Sequence, residues 1–299
     1  MRLADLARAR IAQQLAALCA HEAGVRTGAN PEDLHQMRVA TRRLRAALRL
    51  FTSVLPPAAD SLRHELAWIA SALGEVRDLD VQTDSLARAA CELQAEPEAL
   101  RPVLCLLEAR RGAAREALRS ALASDRFAAL VAGVRDMAAQ PGPEGADHGL
   151  DTAHELVRDT CRRLRKAGRQ LHARASPAAL HRARIRAKHF RYALESLSDV
   201  YGRPARRLIR RAARLQDVLG AAQDAAVLHE LLRDASQSEQ TFPPASVFLL
   251  GQLSEVYAER VRVARAEAPA AYKRLTGRPW KRLKRRGRAI AEQTADRTR

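Results

Sequence analysis

The chain has 299 residues, of which 47% are hydrophobic and only 4% are aromatic. Ala, Leu and Arg dominate and favour helices, whereas the β-branched and aromatic residues that favour sheets are scarce, so the composition argues against a fold built on β-sheet. Lys and Arg total 52 against 34 acidic residues, and this net charge of +18 indicates an anionic partner: nucleic acid, a membrane surface or a phosphate-rich polymer.

The first half of the chain shows helical periodicity from its start. Apolar residues from Leu3 onward share one helix face, and glycines end this helix before residue 30. Asn30 is a suitable N-cap and Pro31 a suitable first residue for a second helix, which runs to about Ser53. The pattern then predicts three more helices, the first with Gly74 as a candidate break, at about 60–95, 98–123 and 127–137.

A segment near the middle of the chain, 139–150, is rich in Pro and Gly and is typical of a linker. Helical periodicity resumes beyond it, at about 151–173, 177–201, 203–236 and 244–270. The final residues, 276–299, are strongly basic and form either a last helix or a mobile arm. The predicted organisation is an N-terminal helical repeat over 1–138, a C-terminal helical repeat over 151–275 and a basic tail.

The two predicted halves share sequence motifs at one constant spacing. His181, Arg184, Lys188 and Arg191 follow His35, Arg38, Arg42 and Arg45 at an offset of 146 residues. The pair Leu219-Gly220 follows Leu73-Gly74 at the same offset. Two separated segments that keep one offset indicate an internal duplication. We therefore predict an all-α fold of two four-helix bundles related by a pseudo-two-fold axis.

The repeated helix carries a stripe of basic residues. At 100° per residue, the first stripe falls within an arc of roughly 80° and consists of His35, Arg38, Arg42, Arg45 and Arg49. The second stripe has His181, Arg184, Lys188 and Arg191, but Glu195 occupies its fifth position. Like charges four residues apart destabilise a helix, so we expect a compensating anion. The alternative is internal neutralisation by acidic residues such as Asp78, Asp80 and Asp224.

The cysteines and the hydropathy pattern indicate the compartment. Cys19, Cys91, Cys105 and Cys161 form no CxxC pair and lie in apolar helical patterns, which predicts four buried, reduced thiols and no metal ligation. No run of 18 apolar residues occurs, so we expect a cytoplasmic protein without a signal peptide or membrane span. We expect no cofactor, and nothing in the sequence fixes the oligomeric state.

The repeated motifs resemble those of the CHAD domain, a name that stands for conserved histidine α-helical domain. The resemblance extends over about residues 1–275. Four segments carry it, in order: His35-x-x-Arg38-Val-x-x-Arg42-Arg43-x-Arg45, Leu73-Gly74-x-x-Arg77-Asp78-x-Asp80-Val81, His181-x-x-Arg184-Ile-x-x-Lys188-x-x-Arg191-Tyr192, and Leu215-Gln-Asp217-x-Leu-Gly220-x-x-x-Asp224.

The resemblance implies non-catalytic binding of inorganic polyphosphate along basic surfaces and a central groove, together with localisation to polyphosphate granules. Carried over by position, the binding residues would be His35, Arg38, Arg42, Arg45, His181, Arg184, Lys188 and Arg191; Arg49 joins them by its helix position alone. Many relatives also carry a triphosphate-tunnel metalloenzyme domain marked by an ExExK signature. This chain lacks that signature, so we expect no phosphohydrolase activity from that source.

Three other functions stay open. A nucleic-acid-binding helical protein would fit the basic charge and tail, but Phe190 and Tyr192 are the only rings near the stripes, whereas single-strand binders interleave aromatic with basic residues. Nucleic acid is therefore expected as a weaker polyanion. A metal-dependent phosphohydrolase would need clustered ligands such as HExxH, which we do not find. An interaction scaffold with a protein partner is also compatible with the sequence.

Overall fold

The computed structural model describes residues 2–141, 150–237 and 242–297, and within these ranges all regular secondary structure is helical. A 3₁₀ turn covers Thr52–Val54. The α-helices are α1 (Leu3–Thr27), α2 (Pro31–Leu50), α3 (Ala59–Glu92), α4 (Pro97–Ala123), α5 (Asp125–Ala139), α6 (Leu150–Gly168), α7 (Pro177–Ser196), α8 (Ser198–Tyr201), α9 (Arg203–Gln237), α10 (Pro244–Thr276) and α11 (Arg278–Arg297). The all-α prediction is confirmed, and the pseudo-two-fold relation between the halves stays a prediction.

The two helices that carry the basic stripes begin in the same way. The Asn30 side chain accepts a hydrogen bond from the backbone N–H of Glu32 at 2.9 Å, and Pro31 is the first residue of α2. The Ser176 side chain accepts one from the backbone N–H of Ala179 at 3.2 Å, and Pro177 is the first residue of α7. A capping side chain followed by proline therefore fixes the start of each stripe.

Several predicted boundaries differ from the structure. The expected break near Gly74 is wrong, because α3 continues through this residue to Glu92. A helical glycine costs only about 1 kcal/mol relative to alanine, and packing along a long helix outweighs that cost. α6 ends earlier than predicted, at Gly168, and α10 continues to Thr276. Of the predicted linker, residues 142–149 lie outside the described residues.

Most of the buried apolar side chains form one continuous core that both halves share. It runs from Leu3 of α1 to Leu283 of α11 and includes Leu44 of α2 and Phe190 of α7. A smaller core joins the distal ends of α3, α4, α9 and α10 around Tyr257. α2 also packs directly against α7. The shared core therefore fixes the position of one stripe relative to the other.

The basic tail folds as helix α11 and packs against α6 and α9. Leu283 is fully buried, and the Trp280 ring meets the Phe190 ring edge-on at a centroid distance of 6.1 Å. The neighbouring basic residues Lys281, Arg282, Lys284, Arg285 and Arg286 are exposed. Of the two predicted forms of the tail, the structure shows the helix.

The prediction of four buried thiols is wrong for two of the cysteines. Cys161 is buried and Cys19 half-buried, but Cys91 and Cys105 are exposed. Cys91 lies in the last turn of α3 and Cys105 on the outer side of α4. At both places the apolar residues next to the cysteine in sequence do not bring its side chain into the core. Burial raises the pKa of the Cys161 thiol to about 12, so it stays protonated.

Candidate functional site

The two basic stripes meet at a groove of about 880 Å³ whose walls come from α2, α3, α7, α9 and α10. We call it the central groove. Six of the nine residues predicted from the sequence line it: His35, Arg38, Arg42, His181, Arg184 and Lys188. The structure therefore gathers the N-terminal parts of both stripes around one space, although they lie 146 residues apart in sequence.

Three further basic residues, which do not belong to the stripes, also line the central groove. Arg77 and Arg88 come from α3, and Arg260 comes from α10. Arg77 belongs to the repeated Leu-Gly motif, so the sequence did offer a signal for it. Arg88 and Arg260 belong to no repeated motif and could not have been found in that way.

A glycine on α3 lets one stripe arginine approach the groove wall. A Cβ at Gly74 would lie 2.7 Å from Nη1 of Arg38, which is closer than real Cβ contacts allow. Arg38 Nη2 donates a hydrogen bond to Asp78 Oδ1 at 3.1 Å. In the second half, a Cβ at Gly220 would lie 4.0 Å from Nε of Arg184, which is ordinary contact. The repeated Leu-Gly pair thus stands next to equivalent arginines, but only at Gly74 would an added Cβ force the arginine to move.

The basic groups of the central groove depress one another's protonation. Burial lowers the pKa of Lys188, the charges of Arg184, Arg42 and Arg38 act in the same direction, and Asp224 opposes them. The pKa that results is about 8. Burial also lowers the pKa of His35, with Arg77, Arg42 and Arg38 adding to the effect. His35 is therefore a neutral hydrogen-bond donor near pH 7. The groove holds positive charge that its own walls do not neutralise.

Internal neutralisation accounts for only part of the stripes. Asp78 pairs with Arg38. Asp80 pairs at 2.6 Å with Arg111, which is not a stripe residue. Asp224 forms no ion pair within 4 Å in the described part of the chain, although it lies close enough to Arg184 and Lys188 to feel their charge. Burial in the groove wall raises the pKa of the Asp224 carboxyl group.

One buried atom of Arg42 lacks a hydrogen-bond acceptor. Its Nε atom is buried and has no hydrogen-bond acceptor in the structure. Burial lowers the pKa of its guanidinium group, and the nearby charges of Arg38, Arg191 and Arg43 act in the same direction. A buried donor without an acceptor is costly, and because Arg42 also lines the central groove, an anion bound there would offset the charge of its guanidinium group.

The remaining three predicted residues lie outside the central groove. Arg191 lies 3.3 Å from Glu195 and over the Tyr192 ring. Arg49 donates to His189, and Arg45 is half-buried near Arg63. The reason is geometric, because the stripe on α2 extends over about 21 Å. α7 packs against α2, and the C-terminal end of the stripe, at Arg49, lies beside α6 rather than at the groove.

Two other kinds of site were sought among the described residues. No group of three or more His, Cys, Asp or Glu side chains is arranged to hold a metal ion. None of the described helices combines the length and apolar character needed to cross a bilayer.

Comparison with known proteins gives relatives over most of the chain. The CHAD domain of the plant Ricinus communis is 28% identical, with a TM-score of 0.74 over 91% of this chain and 92% of that one. PptA from Streptomyces chartreusis has the same fold, with a TM-score of 0.76 at 22% identity over 91% of this chain and all of that one. Two uncharacterized Mycobacterium tuberculosis proteins, MT2285 and Rv2226, are each 29% identical over 295 residues.

The match to these mycobacterial proteins includes 91% of this chain but 53% of theirs, so the chain spans about half the length of the curated relatives it matches. The model of the CHAD domain family matches residues 9–233, a range that includes both basic stripes and both Leu-Gly pairs. Since this range is well over half of the sequence, the chain belongs to the CHAD domain family.

Proposed function

We propose that the protein binds inorganic polyphosphate in the central groove and does not catalyse a reaction on it. The observation that carries this proposal is the surplus of basic side chains converging there from four helices, among them Arg42, whose buried Nε atom has no acceptor. Arginine forks match phosphate oxygens in pairs and keep their charge at any working pH. A repeating phosphate polymer would meet such groups along its whole length.

The shortage of exposed rings favours a polymer without bases. Among the described residues that line the central groove, Tyr257 is the one aromatic residue other than histidine. Its hydroxyl group hydrogen-bonds with Ser85 at 2.8 Å, its side chain is buried, and Arg260 lies over its ring. The ring is therefore already covered and offers no platform for base stacking, on which single-strand binders depend.

Nucleic acid is the second candidate, supported by the net charge of +18 and by the exposed basic residues of α11. Competition separates the two ligands. Long-chain polyphosphate at equal phosphate concentration should displace a labelled DNA duplex, whereas displacement of polyphosphate by duplex at moderate salt would favour nucleic acid. Both ligands lose affinity steeply with salt, so salt dependence alone does not decide.

A double variant tests the proposal directly. Arg42→Ala with Lys188→Ala should weaken polyphosphate binding by at least about 10-fold, or about 1.4 kcal/mol, because one side chain from each stripe is lost. The matched control removes the same charge from α11 through Lys281→Ala with Arg285→Ala, both exposed residues. An equal or larger loss in the control would contradict the groove as the binding site.

Two further consequences belong to the same proposal. In cells, the protein should lie in the cytoplasm and collect on polyphosphate granules, and a fluorescent fusion of the Arg42→Ala, Lys188→Ala variant should stay diffuse.

Incubation with polyphosphate and a divalent metal should release no phosphate. Release that requires the metal and is lost in Arg38→Ala or Arg184→Ala would contradict the non-catalytic role.

A further inference from the structure

A second basic pocket lies apart from the central groove, between α2, α6 and α7. It measures about 150 Å³, and its charged or titratable lining residues are Arg49, Asp159, Arg163, Arg186 and His189. We call it the His189 pocket. Its volume is a small fraction of that of the central groove, so it suits a small ligand rather than a length of polymer.

The His189 pocket carries positive charge that the protein does not neutralise. Arg49 Nη1 donates to Nε2 of His189 at 2.8 Å, which leaves the ring proton on Nδ1 because arginine cannot accept. Arg49 and Arg186 have no carboxylate partner within the described ranges. The pocket's one acid, Asp159, already pairs with Arg163 at 2.7 Å and with Arg162 at 2.5 Å.

The protonation of His189 reflects this surplus. Burial and the charges of Arg49, Arg186, Arg163 and Arg45 lower its pKa to about 4. Every charge acting on the ring in this way belongs to an arginine. The ring therefore stays neutral near pH 7, and it would report the arrival of an anion through a rise in its pKa.

A corresponding pocket in the other half provides an internal comparison. It lies between α1, α2 and α7, measures about 180 Å³, and we call it the Glu195 pocket. Its eight lining residues each lie 146 positions from a residue that lines the His189 pocket. Arg43 thus corresponds to His189, Gln13 to Asp159, and Glu195 to Arg49.

The two pockets differ in how their charges are satisfied. In the Glu195 pocket, Arg43 Nε donates to Glu195 at 3.3 Å, and Arg191 lies 3.3 Å from the same carboxylate. Arg10 pairs with Asp199 and donates to the Ser196 carbonyl oxygen. At the position of that glutamate, the His189 pocket has Arg49 instead. The exchange of Glu195 for Arg49 replaces a carboxylate by a guanidinium group, and the acid that the exchange of Gln13 for Asp159 adds is already paired with Arg162 and Arg163.

We propose that the His189 pocket binds a single phosphate group, either free orthophosphate or the terminal group of a polyphosphate chain. The bound phosphate supplies the negative charge that the Glu195 carboxylate supplies in the other half. Arg49 and Arg186 supply forked donors, and Nδ1–H of His189 supplies a third. This site goes beyond the proposed groove function, because none of its lining residues lines the central groove.

The test uses orthophosphate as the probe and the imidazole NMR signals of His189 in the full chain as the readout. We expect a saturable shift with a dissociation constant in about the millimolar range and a rise in the His189 pKa. Arg49→Glu, which copies the residue of the other half, should abolish the shift. Arg186→Ala should weaken it, and the Arg43→Ala control in the Glu195 pocket should not change it.

The groove variant Arg42→Ala, Lys188→Ala distinguishes this site from the proposed function, because it should leave the orthophosphate shift at His189 intact. A shift that is absent, that never saturates, or that disappears in the groove variant overturns the proposal. Long-chain polyphosphate identifies the source of the phosphate. Weaker binding of the chain by Arg49→Glu supports a chain terminus, and an effect on orthophosphate alone supports the free ion.

Discussion

Of the two equivalent glycines next to the stripe arginines, Gly74 limits how closely its arginine approaches the wall of the central groove, and Gly220 does not. Gly74 leaves the space in which Arg38 lies, whereas the space beside Gly220 is larger than Arg184 needs. A side chain as small as a methyl group should therefore act differently at these two equivalent helix positions. The contrast offers a way to move one guanidinium without removing its charge.

We expect Gly74→Ala to displace the Arg38 guanidinium and lower polyphosphate affinity several-fold, while the protein stays folded because the far end of a flexible side chain can move. Gly220→Ala should leave affinity unchanged and stabilise α9 by about 0.5–1 kcal/mol, since alanine is the better helix former. Binding titrations and urea unfolding of both variants check this. Equal affinities for the two variants would contradict the role of Gly74.

The depressed pKa of Lys188 predicts a proton linkage. Free Lys188 titrates at about 8, and a bound polyanion raises its pKa, so binding at pH 8 should take up protons. At pH 6.5 Lys188 is already charged and should contribute no uptake. Affinity should fall as the pH rises from 7 to 9. Calorimetry in buffers with different ionisation enthalpies measures the uptake, and Lys188→Arg should remove it.

At the scale of helices, α11 joins the fold by packing against α6 and α9, with Leu283 buried. Leu283 is the fully buried apolar residue within a strongly basic segment, and Trp280 covers Phe190 of α7, a stripe helix. Removing the whole tail would therefore damage the core as well as the charge. Substitution of exposed basic residues is the cleaner way to ask whether α11 binds a polyanion.

Leu283→Ala should lower the free energy of unfolding by about 2–5 kcal/mol, because it leaves a cavity between α11 and its neighbours. Lys284→Ala, at the adjacent exposed position, should change it by less than about 0.5 kcal/mol. Thermal or urea unfolding provides the comparison. Similar stability of the two variants would show that α11 does not belong to the core.

The helices could be predicted from the sequence because helical periodicity is a local signal. The constant offset of 146 residues is a purely sequential signal for a repeat, and the pseudo-two-fold relation between the halves stays a prediction. Six residues that line the central groove could be predicted from the helix positions of the two basic stripes. The placement of Arg45, Arg49 and Arg191 could not be predicted, since it depends on where α7 packs against α2. Arg88 and Arg260 were missed because their positions depend on how α3 and α10 pack around the groove rather than on a repeated motif.

At the scale of the molecule, the net charge of +18 and the meeting of both basic stripes at one groove act together. The overall charge attracts any polyanion from a distance, which speeds association without selecting the ligand. In the proposed function, selection comes from the central groove, where arginines from both halves are available to phosphate and the Tyr257 ring is already covered by Arg260. The two halves contribute to one groove, so a ligand long enough to touch both stripes gains contacts that a short one lacks.

Calorimetric titration of the protein with long-chain polyphosphate, tripolyphosphate and a DNA duplex, at one moderate salt concentration, tests the central claim most directly. We predict that the long chain binds most tightly and that its advantage over tripolyphosphate shrinks in the Arg42→Ala, Lys188→Ala variant. Binding of tripolyphosphate or duplex as tight as that of the long chain, or an advantage that survives in the variant, would contradict one polymer held between the two stripes.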